Sequence, residues 1–143
     1  MSKKRTYLDT GVLIAAFAGT QRLSDAAFAV LNDPDREFVI TDFLKLELLP
    51  KAIFNKKSNE ADCYNAFFEH ACDVVEITSE LMIGALKLAC LHDLSAIDSI
   101  HVHSALVSST SEFITTEKPT KPFFRITDTS LKIISLAFME DTA

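Results

Sequence analysis

The sequence is 143 residues long, the size of one domain, and it is 48% hydrophobic and 24% charged, which supplies a packed core and argues against disorder. Three Gly and four Pro are too few turn residues for a sandwich or barrel of many short strands. Fourteen basic against twenty acidic residues give a net charge of −6, so the chain cannot hold nucleic acid by bulk charge and would need a local basic patch.

In chain order, Arg5-Thr6-Tyr7-Leu8 reads as a short strand running into Asp9. An apolar stretch, Val12 to Phe17, follows and ends at Gly19. Ser24 is placed to cap a helix carrying Ala27, Phe28, Val30 and Leu31, stopped by Asn32-Asp33-Pro34. Phe38-Val39-Ile40 is a second strand, rich in aromatic and β-branched residues. Thr41 or Asp42 then caps a helix to about Phe54, whose apolar positions Phe43, Leu44, Leu48 and Ile53 recur with helical period and which Pro50 should kink. Residues 56–59 read as a loop, and Glu60 to Cys72 as a helix with Tyr64, Phe67, Phe68 and Ala71 on one side.

Val74 to Ile77 is the third strand, and Thr78 or Ser79 caps a helix through Leu91. Ser95 caps the next helix, through about Ser108. Phe113-Ile114 forms a short buried strand within residues 112–115, followed by a polar, proline-containing loop over 116–125. Leu131 to Leu136 fits either a last strand or a short apolar helix. Strands alternating with helices imply a parallel sheet covered on both faces, with the ligand site beyond the carboxyl ends of the strands.

Four carboxylates fall at such junctions. Asp9 ends the first strand and Glu117 follows the fourth, while Glu47 and Asp98 sit on apolar-looking faces of the helices after the second strand and after Ser95. Acids in such places need partners. Two carboxylates about 5 Å apart repel by roughly 3 kcal/mol at an effective dielectric near 20, a cost that a divalent cation removes. Oxygen donors without His or Cys suit magnesium or manganese, and such a site suits phosphodiester hydrolysis. Each acid also has a plain reading. Ser95-x-x-Asp98 matches a capping box, Asp9 fits a turn, Glu47 a solvated helix position and Glu117 a loop charge.

The ordered set of motifs resembles the PIN-domain nucleases. Tyr7-Leu8-Asp9-Thr10-Gly11-Val12-Leu13-Ile14 resembles their opening strand, and Thr41-Asp42-Phe43-Leu44-Lys45-Leu46-Glu47 their second motif, a helix carrying one acid. Residues 94–106, from Leu94-Ser95-Ala96-Ile97-Asp98 onward, resemble the third, and Phe113-Ile114-Thr115-Thr116-Glu117 the fourth. The resemblance spans about residues 5–136. It implies one three-layer α/β/α domain over residues 1–143 with a central parallel sheet. It also implies a Mg2+- or Mn2+-dependent endoribonuclease, nearest to the VapC-type toxins of toxin–antitoxin pairs. Carried over by position, Asp9 and Asp98 would be direct metal ligands, with Glu47 and Glu117 orienting waters or serving a second site. Thr10 or Thr116 would hydrogen-bond a carboxylate or the phosphate. The chain departs from the pattern at Gly11, where relatives often carry Asn, at Ser99, often Ala, and at Glu117-Lys118-Pro119, where Asp is commoner.

Lys118, Lys121 and Arg125, with Lys45 and Lys51 flanking Glu47, are the cations available to RNA phosphates. His101 lies one turn from Asp98, placed to brace it. Cys63, Cys72 and Cys90 form no C-x-x-C pair and are odd in number; they read as reduced, buried thiols of a cytoplasmic protein. The longest apolar runs are about ten residues, too short to span a bilayer, and the opening MSKKRTYLD has no signal-type apolar core. Tyr64 and Phe67-Phe68 exceed what a small core readily buries, which points to a homodimer face or an antitoxin groove, as the resemblance also implies. A receiver domain is excluded because Asp9 stands alone without an acidic neighbour; a PIN-like RNA- or protein-binding module without catalysis is the remaining alternative.

Overall fold

The computed structural model describes residues 2–19, 21–127 and 129–137, with the backbone alone at 21 and 22. Five parallel strands form one sheet: β1 (Lys4–Leu8), β2 (Arg36–Thr41), β3 (Asp73–Val75), β4 (Glu112–Thr115) and β5 (Lys132–Ser135), in the order β3-β2-β1-β4-β5. The connections carry α1 (Thr10–Phe17), α2 (Gln21–Leu31), α3 (Asp42–Phe54), α4 (Ser58–Glu69), α5 (Ser79–His92) and α6 (Ala96–Val107). The strand order reverses after β3. Right-handed crossovers therefore place α1–α4 on one face of the sheet and α5–α6 on the other, which gives the three-layer α/β/α arrangement.

The central strand β1 is the apolar spine. Tyr7 and Leu8 are fully buried and pair in register with Phe113 and Ile114 of β4, and Tyr7 also pairs with Val39 of β2. The rings of Tyr7 and Phe113 stack at 5.6 Å and 6°. Val12 and Leu13 of α1 and Leu44 of α3 close the core on one side, and Val102 and Ala105 of α6 close it on the other.

Several expectations are corrected. Ser24 lies inside α2, which begins three residues earlier, so it is not the cap. The helix expected from Glu60 begins at Ser58, shortening the loop, and ends at Glu69. The third strand stops at Val75 rather than Ile77 because its only partner, β2, ends at Thr41, the residue opposite Val75. Residues 131–136 contain a strand, β5, paired to β4.

The cysteines are free but not buried as a set. Cys63 is half-buried and Cys72 and Cys90 are exposed, on the run into edge strand β3 and on the outer side of α5. Tyr64 and Phe68 are buried, with Tyr64 edge-on to Phe17, and Phe67 packs on Phe38. They are core rather than surplus. Exposed large apolar side chains cluster instead on α3 (Leu46, Ile53, Phe54) and on α5 (Met82, Ile83, Leu86, Leu91), with single ones such as Ile14, Phe28, Val74 and Val107 elsewhere.

Candidate active site

At β1 the strand order switches direction, so the helix leaving β1 and the connection entering β4 lie on opposite faces and leave a hollow beyond the carboxyl ends of these strands, the usual location of a site in open α/β sheets. Asp9 occupies this point. It leaves β1 and caps α1, with its Oδ1 accepting from the Thr10 N–H at 2.8 Å and its Oδ2 from the Thr115 hydroxyl at 2.9 Å. Burial raises its carboxyl above the ordinary range and the nearby Asp98 charge adds to this; His101 and the two hydrogen bonds act against it.

Asp98 enters from the other face. Ser95 caps α6 through the Asp98 N–H at 3.2 Å, as the capping-box reading requires. The Asp98 carboxylate instead pairs with Lys121 Nζ at 3.3 Å, and its side chain is only 18% exposed. Lys121 lies just ahead of a 3-10 turn, Pro122–Arg125, that returns the loop toward the sheet. Partial burial works against the Lys121 ammonium, but Asp98, Glu117 and Asp9 outweigh it and hold its pKa above the usual lysine range. Three acids from three separate segments thus share the field of one cation.

Glu47 projects from α3, where its Oε1 accepts from the Thr10 hydroxyl at 2.8 Å and pairs with His101 Nε2. Burial opposes its ionisation, yet the His101 and Thr10 hydrogen bonds prevail and keep the carboxyl below its ordinary pKa. His101 is buried, and its Nδ1 meets the Tyr7 hydroxyl, which in turn meets Thr41 at 3.0 Å. With Glu47 ionised and acceptor-only, His101 Nε2 donates to Glu47. Burial and the Asp9 and Glu47 charges, opposed only by the Thr41 hydrogen bond, push the Tyr7 phenol far above its usual pKa, so it stays protonated.

Among the four predicted acids, then, Asp98 pairs with Lys121, Asp9 is held by Thr10 and Thr115 at the end of β1, and Glu47 stands on the adjoining Thr10–His101 side. Glu117 is exposed, and its main chain is pinned by Thr115 Oγ1 to its N–H (3.0 Å) and by the Ser135 hydroxyl to its carbonyl (2.6 Å). Thr10 serves a carboxylate. Thr116 packs against the first turn of α1, so closely that a Cβ on Gly11 would fall 2.2 Å from its hydroxyl oxygen. Lys118 is exposed. Lys51 and Lys57 line a groove beside Glu47 with Ile14, Leu48 and Tyr64. Lys45 is turned elsewhere, to Asp42 at 3.6 Å and over the Phe68 ring.

The oxygen-rich donor set and the lodged Lys121 ammonium fit a hard cation, although among the described residues no three His, Cys, Asp or Glu side chains converge closely enough to coordinate one ion. Sequence reasoning missed Thr115 and assigned His101 to the wrong acid: it braces Glu47, not Asp98. The signal for Thr115 was the register itself, since pairing Leu8 with Ile114 sets the next residue, Thr115, beside Asp9.

A family profile described as PIN domain matches residues 6–118. No curated protein sequence matches the chain. Among solved structures, a toxin–antitoxin complex from Klebsiella pneumoniae is similar over 88% of this chain and 94% of its own, with TM-score 0.64 and 21% identity. VapBC2 from Rickettsia felis, bound to a DNA fragment from the promoter, is similar over 90% and 98%, with TM-score 0.66 and 12% identity. At these identities the likeness is one of fold.

Proposed function

Because this chain belongs to the PIN domain family, we propose that it is an endoribonuclease that hydrolyses RNA phosphodiester bonds with a divalent metal, Mg2+ or Mn2+. The observation that carries this reading is the placing of Asp9, hydrogen-bonded to Thr10 and Thr115, at the end of the central strand, with the Asp98–Lys121 ion pair delivered from α6 and the loop after β4. Asp9 and Asp98 would hold the ion, and Glu47 and Glu117 would orient its waters. When bound, the ion would supply charge to polarise a phosphoryl oxygen and to activate water.

The chain's own residues prepare that site. Thr10 N–H and the Thr115 hydroxyl fix both oxygens of Asp9, so the carboxylate cannot rotate away from the hollow. His101 and Thr10 fix Glu47 and hold it ionised, ready to accept a hydrogen bond. Lys118, exposed beside Glu117, and Lys51 in the adjoining groove are the cations offered to RNA phosphates, with Thr10 and Thr116 flanking the entry.

The fold shared with toxin–antitoxin complexes supports an antitoxin partner, and the groove beside Glu47 offers it a concave face. The exposed apolar stripe of α5 supports a homodimer. Among the described residues no helix is long and apolar enough to cross a membrane, and three free thiols support a cytoplasmic setting. The test is cleavage of a generic RNA in Mg2+ or Mn2+, with chelator and Asp9→Asn as controls. Binding without cleavage in every metal would overturn the enzyme in favour of a binding module, and cleavage of DNA alone would overturn the substrate.

A further inference from the structure

We propose that Lys121 is a built-in counterion of the carboxylate hollow, competing with the divalent cation for Asp98 and setting how tightly the site takes metal. The inference rests on the nuclease reading above. The loop after β4 folds its 3-10 turn so that Lys121 Nζ comes to 3.3 Å from Asp98 Oδ2, with the Lys121 side chain 35% and the Asp98 side chain 18% exposed. Phe123, fully buried against Phe113, anchors that turn, so the lysine is delivered from a fixed base rather than from a free loop.

Its environment distinguishes it from the other lysines near the rim. Lys118 is exposed and Lys45 is engaged with Asp42. Lys121 alone among the described lysines forms an ion pair with a site carboxylate. A unit positive charge already against Asp98 satisfies the oxygen that an incoming dication would need, so metal entry requires that the ammonium let go. The same charge lowers the repulsion between Asp98 and Asp9 when no metal is bound, which keeps the metal-free hollow folded. A freed ammonium remains tethered at the rim, where a phosphate would stand, so metal binding hands a cation from the protein to the substrate side.

The experiment is Mn2+ titration by calorimetry on the wild type, Lys121→Met and Lys121→Arg, with melting curves in chelator and in Mn2+. Lys121→Met is expected to bind Mn2+ about tenfold more tightly, the size expected for one partly solvated charge. It is also expected to melt lower in chelator and to gain more from Mn2+ than the wild type. Lys121→Arg, which keeps the charge, is expected to stay within about twofold of wild type. Unchanged or weaker Mn2+ binding by a folded Lys121→Met overturns the proposal while leaving the nuclease reading intact. If the wild type binds no Mn2+ and Asp98→Asn changes nothing, the reading and the proposal fall together. If Lys121→Met fails to fold, Lys121→Gln carries the same comparison.

Discussion

His101 joins Tyr7 to Glu47, one partner on each ring nitrogen, and so ties the central strand to the helix that follows β2. The three come from positions 94 and 54 residues apart in sequence, and the imidazole is 1% exposed. A buried ring with both nitrogens bonded stabilises only while both partners remain.

His101→Ala is therefore expected to cost about 2–4 kcal/mol, from the cavity and from the hydrogen bonds lost at Tyr7, which keeps only Thr41, and at Glu47. It should also release Glu47 and reduce cleavage. Urea denaturation followed by RNA cleavage at a temperature where the variant is folded checks both. Tyr7→Phe is the milder case: it leaves Glu47 bonded, so stability should fall while cleavage is largely retained.

Asp9→Asn separates stability from activity. Burial raises the Asp9 pKa in the folded state, so the ionised group opposes folding at neutral pH, and the native state gains relative stability as pH falls below the folded pKa. Removing the charge should abolish cleavage yet leave the melting temperature in chelator equal to the wild type or higher. A large loss of metal-free stability at neutral pH would contradict this account of Asp9.

Glu112 is the opposite case at the opposite rim. At the start of β4, it accepts from Arg36 Nε at 2.9 Å and from the Thr6 hydroxyl at 2.9 Å, and its side chain is 6% exposed. Burial disfavours its charge, but Arg36 and Thr6 outweigh this and lower its pKa. Its contribution to stability is thus present above the unfolded carboxyl pKa and lost as pH falls through the lower folded value. Glu112→Gln should cost about 2 kcal/mol at pH 7 by removing the charged partner of Arg36 Nε and leaving that partly buried guanidinium with Asp33 alone (Nη1 to Oδ2, 3.1 Å). That deficit should shrink toward pH 3, and cleavage per folded molecule should be unchanged.

Gly11→Ala tests the contact between α1 and the loop after β4. Ala is favoured over Gly by about 1 kcal/mol in a helix interior, and by less in the first turn, where Gly11 lies. Here the new Cβ would displace the Thr116 hydroxyl. The gain should therefore be absent in the wild type and appear in a Thr116→Ala background, a non-additivity read by a double-mutant cycle.

The sequence was most informative where one residue carries its own local reason. Asp9 stands at a strand end, Ser95 caps a helix, and Phe113-Ile114 has nowhere to lie but the core. It was least informative where the reason is a partner far along the chain. Nothing near His101 announces Glu47, and nothing near Lys121 announces Asp98, because those pairs exist only once the sheet is assembled. The resemblance pointed to Thr10 and Thr116 and not to Thr115, because adjacent hydroxyls look alike until pairing decides which one faces Asp9. Composition failed for the cysteines: average burial tendency says little about two that lie beside an edge strand and on an outer helix face.

The insertion of β4 beside β1 has a consequence for synthesis. Asp9 and Thr115, hydrogen-bonded to one another, are 106 residues apart, and Lys121 lies further still. A chain leaving the ribosome carries Asp9 almost at once, yet it cannot assemble the hollow until most of it has been translated. Unfinished polypeptides therefore carry the acids of the site without the arrangement that brings them together.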